Sequence, residues 1–413
     1  FPVVYVDSLA LSRLAPYLSL SFGTLVACVA SYGLLASVLP VWLLLVPRDY
    51  LSSYMKLGTL SVLIVAIVSY NNRRKREVAI MVVNPELKIE AFTQFVYGGG
   101  PIIKGKVFPF VFITVACGAI SGFHSLIASG TTPKLIDKET DCRPIGYGAM
   151  LLEGLVGITS LVAAACLHPA DFFAINVPEA AFQKLGMTPV EIDLMSQLVG
   201  EKLRGRTGGS VSLAAGIAQI FSQLPGARAL LGYFYHFIVM FEAVFILTTV
   251  DAGTRVARFL MQDILGHLDS RFSRHDFAPG VWGASILVVM FWGGFLYSGT
   301  ISTLWPLLGI ANQLLATTAL AVGTAVILRM HPNRRRYALV TAVPMLVVGC
   351  TTLTAGWQSI WNNFSRDPSR VKAVVNSGCT AILMCSCVLV LLTLASRVRS
   401  MSAVGDRSQD KPT

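Results

Sequence analysis

Residues 115–134 read VACGAISGFHSLIASGTTPK, a largely apolar run of membrane-spanning length that carries its own polar side chains. Ser121, Ser125 and Ser129 recur at every fourth position, so on a continuous helix they lie on one face. His124 directly precedes the second serine and lies beside it. A hydrophobic helix with a polar stripe is typical of a solute pathway through a membrane, whereas a plain anchor does not need one.

Small residues and a predicted break accompany the polar stripe. Gly118 and Gly122 form a GxxxG pair, which lets a second helix approach closely. Gly130, Thr131 and Thr132 precede a proline, so we expect the helix to be interrupted there. The stripe and these last three residues are therefore candidates for a substrate pathway.

The composition predicts the fold class. Of the 413 residues, 54% are hydrophobic and only 13% are charged, and the mean hydropathy is +0.65. An average globular domain has about a quarter of its residues charged. Apolar runs of about 20 residues recur along the chain, which predicts an all-α, polytopic transmembrane bundle of about ten spans. The predicted spans are 18–46, 54–70, 107–128, 144–167, 209–225, 228–250, 279–297, 303–329, 338–357 and 375–396.

The net charge of +11 predicts orientation rather than a nucleic-acid partner. Basic residues concentrate in short segments between spans, at 73–76, 202–206, 255–274, 334–336 and 397–399. With ten crossings these segments all fall on one side, so we expect both ends of the chain in the cytoplasm, facing anionic lipid. The polar segment 401–413 is predicted to be a disordered cytoplasmic tail.

The span 209–225 is the weakest, because Gly216 and Gln219 interrupt its hydrophobicity, and a re-entrant segment is the alternative. Just before it, Thr188 and Glu191 have the spacing of a capping box. The residues that follow are amphipathic and predict a short helix lying on the inner membrane surface.

Ionisable side chains inside spans cost about 2.5–3.5 kcal/mol each, so those present are candidates for proton or ion coupling. The candidates for coupling are His124, Glu153, Glu242 and, at the edge of a span, Asp251, whereas His236 is better explained by packing. For Asp251, an ion pair with Arg255, four residues later on the same helix, is an equally good explanation.

Asn312 and Gln313 are adjacent amides inside the apolar span 303–329. Such amides either form hydrogen bonds between helices or line a solute site, and both interpretations remain open. We count both residues with the candidate substrate pathway.

Other classes of function have weaker support in the sequence. Ser121 and His236 could form the dyad of an intramembrane hydrolase, although His236 is better interpreted as a packed or interfacial histidine. An ion channel would need a filter-like motif, and an ATP-driven pump would need a phosphate-binding loop; neither is found in the sequence. The eight cysteines have no metal-ligand spacing, so we expect no metal site. We also expect no cofactor and no enzyme activity.

Five stretches resemble the carbon starvation protein A family of bacterial inner-membrane transporters. They are SVLPVWLLLVPRDYLS (37–52), FITVACGAISGFHSLIASGTTPK (112–134), RPIGYGAMLLEG (143–154), YHFIVMFEAVFILTTVDAGTRVARFLMQD (235–263) and TLWPLLGIANQLLA (303–316). With their connecting segments they span most of residues 30–330.

The resemblance implies uptake of peptides, or of pyruvate by proton symport, during nutrient limitation. It also implies a fold with inverted five-helix repeats and a location in the inner membrane. Because family members have further spans before the part that matches this chain, we expect the chain to lack an N-terminal portion and one of two broken helices. Pyruvate and peptides both carry a carboxylate, and N–H groups at the break near Gly130 are candidate donors to it.

Overall fold

The computed structural model describes residues 20–73, 88–90, 92–102, 106–130, 132–222, 224, 226–274, 276–298, 301–331, 334–366 and 370–409. Within these ranges the chain forms helices, turns and irregular segments but no strand, so the predicted all-α class is confirmed. The helices are α1 (Phe22–Val38), α2 (Val41–Arg73), α3 (Phe112–Ala119), α4 (Gly122–Gly130), α5 (Cys142–Ala165), α6 (Pro169–Asn176), α7 (Glu179–Phe182), α8 (Ile192–Val199), α9 (Ser210–Ser222), α10 (Leu231–Gly266), α11 (Ala278–Ser298), α12 (Ile301–Met330), α13 (Leu339–Arg366) and α14 (Arg370–Gln409).

Seven helical segments among the described residues are long and apolar enough to cross a membrane. They are Val41–Ile67, Glu139–Ala165, Leu231–Gly266, Ala278–Ser298, Leu307–Met330, Arg335–Trp361 and Ala373–Ser396. Helices α1 and α9 are apolar but shorter. The chain is thus a multi-pass membrane protein, and the total of about ten crossings stays a prediction.

The first two predicted spans, 18–46 and 54–70, differ from the observed helices. Helix α1 ends at Val38, and α2 then runs without interruption from Val41 to Arg73. The break lies at Leu39 because Pro40 disfavours the helical conformation of the preceding residue, whose φ and ψ are −66° and 151°. The charged residues near Pro47, which the sequence suggests as the end of a span, lie inside α2.

The chain divides into two compact units. The first comprises Phe1–Leu51 and Ile246–Thr300, and within it α1 packs along α11. Gly33 allows close contact there, since a Cβ at this position would lie 3.0 Å from the Trp292 ring. The buried hydroxyls of Ser37 and Ser285 hydrogen-bond each other at 3.1 Å.

The second unit comprises Ser52–Phe245 and Ile301–Thr413 and contains two hydrophobic clusters. The smaller one joins α3 to the bundle of α12, α13 and α14 through Ile113, Ile310, Leu314, Ala355 and Cys387. The larger one is centred on α9 and includes the ends of α5 and α10 together with α6 and α8.

Helix α9 lies inside the larger cluster, with ten of its thirteen residues buried. Gly216 permits this packing, because a Cβ there would clash with the backbone carbonyl of Ala163 in α5. A helix of thirteen residues is about 20 Å long, and a hydrocarbon layer is about 30 Å thick. Helix α9 is therefore short and buried, as we expect if 209–225 is a re-entrant segment rather than a full span.

Helix α8 also differs from its prediction. Its first N–H groups are capped by Asp171 of α6, whose carboxylate accepts hydrogen bonds from Val190, Glu191 and Ile192 at 2.8–3.2 Å. Ile192, Met195 and Val199 of its apolar face are buried in the larger cluster, and a position on the inner membrane surface stays a prediction. A partner carboxylate from a distant segment thus replaces the predicted capping box.

The predicted disordered tail, 401–413, is helical over 401–409, where α14 continues to Gln409. No proline interrupts this stretch, and a helix that is already formed extends by one hydrogen bond for each residue it fixes. The last four residues lie outside the described ranges.

Candidate functional site

The stretch at 107–130 is not one continuous helix. Helix α3 ends at Ala119 and α4 begins at Gly122, so Ile120 and Ser121 form a break inside the apolar run. Ser121 therefore does not continue the stripe of the other two serines along a single helix. The prediction of a continuous polar stripe is wrong at this point, because backbone groups at the break find partners on another helix.

Asn312 and Gln313 of α12 supply those partners. The Asn312 Oδ1 atom accepts a hydrogen bond from the Phe123 N–H at 2.8 Å and another from the Ser121 hydroxyl at 3.3 Å. The Gln313 Nε2 atom donates to the Ile120 carbonyl at 3.1 Å. One amide thus satisfies a free donor at the start of α4, and its neighbour satisfies a free acceptor beyond the end of α3.

The interrupted helix and α12 touch backbone to backbone at Gly122. A Cβ at this position would lie 2.6 Å from the Ala316 nitrogen and 2.7 Å from the Leu315 Cβ, and would also clash with the Asn312 carbonyl. At Gly118, the other half of the predicted GxxxG pair, a Cβ would meet no atom within 4 Å. Of the two glycines, Gly122 therefore serves the close approach.

Gln313 is fully buried, and its Oε1 atom has no hydrogen-bond partner among the described residues. The side chain thus presents an unused acceptor beside the break. An acceptor in this position suits a donor group of a passing solute, since an unpaired buried polar atom costs about 1–3 kcal/mol.

The remaining serines of the stripe are bonded within their own helix. The Ser125 hydroxyl donates to the Gly122 carbonyl at 2.6 Å, and the Ser129 hydroxyl donates to the Leu126 carbonyl at 3.2 Å. Their oxygen atoms remain able to accept a hydrogen bond, but their protons are already used.

The predicted break near Gly130 lies at the end of α4. Helix α4 ends at Gly130, and a 3₁₀ turn over Thr132–Lys134 follows. A helix end presents free carbonyl groups, whereas free N–H groups occur at a helix start. Donation of N–H groups to a carboxylate at this break therefore stays a prediction, and the start of α4 lies at Gly122. Thr131 lies outside the described residues.

The structure brings together two of the candidate coupling residues. His124 of α4 and Glu153 of α5 approach to 3.6 Å between Nε2 and Oε2. Both side chains are largely exposed, at 62% and 55%. Glu242 is half-buried in α10, and no hydrogen bond or ion pair joins it to another described residue.

Asp251 has a partner that the sequence did not suggest. This fully buried carboxylate accepts hydrogen bonds through its Oδ2 atom from Arg48 of α2 and from the Tyr32 hydroxyl of α1, the latter at 2.9 Å. The local ion pair with Arg255 is not its direct contact. Arg48 was missed because the sequence places it between two spans, although it follows Pro40 by two helical turns inside an apolar run.

Arg255 instead binds the end of α1. Its Nη2 atom donates to the carbonyls of Ala36 and Leu39, and Arg258 donates to the carbonyl of Ser37. Two guanidinium groups thus satisfy free carbonyls and the negative end of the helix dipole where α1 stops.

The proposed hydrolase dyad is not assembled. His236 contacts the Val199 carbonyl through Nε2 at 3.0 Å and lies 4.0 Å from Glu201, whereas Ser121 is bonded to Asn312. No hydrogen bond connects the serine to the histidine in the described part of the chain. The described residues also contain no group of three or more His, Cys, Asp or Glu side chains able to hold a metal ion.

Comparison with known proteins gives a consistent picture. The family model described as "Carbon starvation protein CstA" matches residues 3–355. The peptide transporter CstA of Bacillus subtilis is 44% identical over 384 residues, which cover 93% of this chain and 62% of that protein. The peptide transporter CstA of Escherichia coli is 41% identical over 394 residues, covering 88% of this chain and 54% of that protein.

A relative with a different name is similarly close. The pyruvate/proton symporter BtsT of Escherichia coli is 41% identical over 389 residues, covering 83% of this chain and 51% of that protein. The chain thus spans between about half and three fifths of the length of these relatives. No solved structure shows a significant match. With the family model matching most of its length, this chain belongs to the carbon starvation protein CstA family.

Proposed function

We propose that this chain forms part of a secondary transporter that carries a peptide or pyruvate, together with protons, across the bacterial inner membrane during carbon starvation. The names of its relatives, peptide transporter and pyruvate/proton symporter, support this function. So do the seven described helical segments that can cross a membrane. We propose transport rather than hydrolysis, in keeping with those names.

The observation that carries the proposal is the interruption of an apolar helix at Ile120 and Ser121. Non-helical backbone at membrane depth is stable only where protein or a water-filled cavity satisfies it. Here Asn312 and Gln313 satisfy one backbone group on each side of the break. Interrupted helices of this kind form the solute sites of many secondary transporters.

For proton coupling we propose His124, Glu153, Glu242 and Asp251. The first two form a pair in which an imidazole nitrogen and a carboxylate oxygen lie 3.6 Å apart, so a small approach of these exposed side chains would let a proton pass directly between them. Glu242 offers a carboxylate within a membrane-spanning helix. For the pathway itself we propose Ser121, Ser125, Ser129, Gly130, Thr131 and Thr132 together with the amides of α12.

We also propose an inverted-repeat architecture, ten crossings and cytoplasmic positions for both ends. Reporter enzymes fused at the two ends test the orientation, since alkaline phosphatase is active only outside the cytoplasm. Active phosphatase at one end and inactive phosphatase at the other would count against the even number of crossings.

Uptake of labelled pyruvate and labelled dialanine is the direct test of transport. The chain is expressed in bacteria that lack their own importers, beside a full-length relative as a positive control, with and without a proton gradient. We expect Gln313→Leu to lower uptake strongly. The matched control is Gln219→Leu, because Gln219 is also a buried glutamine with an unpartnered Oε1 atom but lies in the cluster around α9. If the wild-type chain takes up neither substrate while the full-length relative is active, the proposed function is refuted.

A further inference from the structure

The buried cluster around Arg48 in the first unit is not explained by packing alone. Its Nη1 atom donates to Asp251 Oδ2 and to the Tyr32 hydroxyl, and its Nη2 atom donates to Asp49 Oδ1 at 2.7 Å. One guanidinium thus holds two carboxylates on different helices. Its Nε atom is buried and has no hydrogen-bond partner among the described residues.

The bonding of Arg48 differs from that of other arginines in this chain. Arg204 and Arg274 each bind one aspartate with both Nε and Nη2, which is the two-bond fork that a guanidinium and a carboxylate favour. In Arg48 the edge of the guanidinium that carries Nε and Nη2 makes one hydrogen bond, from Nη2 to Asp49, and its Nε atom has no partner among the described residues. This edge is therefore able to take a forked carboxylate.

Access to the cluster is asymmetric. Asp251 is 0% exposed, Arg48 is 16% exposed and Asp49 is 44% exposed. The side of Asp49 is thus the approach open to a carboxylate ligand, which must displace the groups that cover the buried Nε atom, while Asp251 stays covered. The second oxygen of Asp251, Oδ1, is buried and unpartnered in the described structure and is a place for a proton.

The other groups around Asp251 are already engaged or uncharged. Helix α1 contributes Tyr32, α2 contributes Arg48 and Asp49, and its own helix contributes Arg255 one turn later. Arg255 is bound to backbone carbonyls of α1. Helix α11 contains no Asp, Glu, His, Lys or Arg. Arg48 is thus the hydrogen-bonded cationic partner of Asp251.

From this geometry we propose that Arg48 binds the carboxylate of the transported solute through its Nε and Nη2 edge, and that protonation of Asp251 strengthens this binding. The inference rests on the proposed function for the identity of the solute. Protonation of Asp251 removes one of the two negative charges beside Arg48, which lowers the repulsion of a third carboxylate. By linkage, a bound carboxylate strengthens proton binding at Asp251 by the same factor, which couples one proton to one anionic group.

Binding to the purified full chain in detergent tests the proposal, with pyruvate and dialanine as separate ligands between pH 5.5 and 8. We expect wild-type affinity to rise as the pH falls. Asp251→Asn, which imitates the protonated carboxyl group, should bind about 5–150-fold more tightly at pH 8 and lose the pH dependence. Asp49→Asn should keep the pH dependence, because Asp251 is intact. Pyruvamide and dialanine amide, which lack the carboxylate, should not bind.

Arg48→Gln should abolish binding, whereas the exposed Arg274→Gln should not change it. The gain in affinity expected for Asp251→Asn cannot arise from misfolding, so it keeps the test decisive if an arginine variant is unstable. Equal affinity of Asp251→Asn and wild type at pH 8, or binding of the amides, would overturn the proposal. Which of pyruvate and dialanine binds distinguishes the source of the carboxylate.

The uptake measurement separates this inference from the proposed function. Wild-type uptake that Arg48→Gln leaves unchanged refutes the role of Arg48 and leaves transport standing. Carboxylate binding linked to Asp251 in a chain that moves neither substrate supports the role of Arg48 and refutes transport by this chain.

Discussion

Replacing Gly122 by alanine tests whether the interrupted helix depends on its close contact with α12. The added Cβ would lie 2.6 Å from the Ala316 nitrogen and 2.7 Å from the Leu315 Cβ. Favourable contacts between such atoms occur at about 3.5–4.0 Å, so α4 must move away by about 1 Å. Backbone atoms of a packed helix cannot rotate aside, unlike the tip of a long side chain.

The expected loss of stability follows from two costs. Overpacking costs about 1–3 kcal/mol, and a movement of this size also stretches the 2.8 Å bond between the Phe123 N–H and Asn312. Leaving those groups unpaired costs about 1–3 kcal/mol more. We therefore expect Gly122→Ala to lower the free energy of unfolding by about 2–6 kcal/mol.

Gly118→Ala is the matched control, because nothing lies within 4 Å of its Cβ position. Alanine is favoured over glycine inside a helix by about 1 kcal/mol, so this variant should be as stable as the wild type or slightly more stable. Unfolding by sodium dodecyl sulfate, followed by circular dichroism, measures both variants. Equal effects of the two substitutions, or a more stable Gly122→Ala protein, would refute the reasoning.

Four further predictions use other parts of the molecule. Asn312→Ala should destabilise the chain by about 1–3 kcal/mol in the same assay, because the Phe123 N–H loses its acceptor; an unchanged stability would argue against capping by this side chain. Arg258→Gln should lower the unfolding temperature because a helix-end carbonyl loses its buried partner, and Arg274→Gln, on the surface, should leave it unchanged. Burial raises the pKa of the Cys166 thiol, with the charge of Lys88 acting in the opposite direction, so Cys166 should resist maleimide at pH 7.5 and react faster as the pH rises or after unfolding, while the exposed Cys142 reacts at once. Impermeant maleimide should reach Cys142 in intact cells if the proposed orientation holds, and labelling only after lysis would contradict it.

The sequence allowed the amides of α12 to be chosen, but not their partners. Asn312 and Gln313 are conspicuous because polar side chains are costly in an apolar span. Their hydrogen bonds to Phe123 and Ile120 depend on a break that local propensity does not require, since the residues around it form helix on both sides. Tertiary contact with α12 decides where the helix stops.

The charged cluster of the first unit shows the same limit: the sequence identifies a side chain but not its partner. Asp251 was selected as a buried carboxylate, yet its true partner lies more than two hundred residues earlier in the chain. Arg255, four residues away, satisfies the usual spacing for a helical ion pair but binds backbone carbonyls instead. Spacing along one helix cannot reveal that a neighbouring helix ends against the same face.

The contacts of α10 with the corner between α1 and α2 have a mechanical consequence within the first unit. Three side chains on successive turns, Asp251, Arg255 and Arg258, attach one face of α10 to both arms of that corner. The turn at Leu39 therefore cannot act as a free hinge, because rotation of either α1 or α2 about it would break hydrogen bonds to α10. A shift of α10 along its own axis would instead move the end of α1 and the start of α2 together, so these three segments would be displaced as one unit.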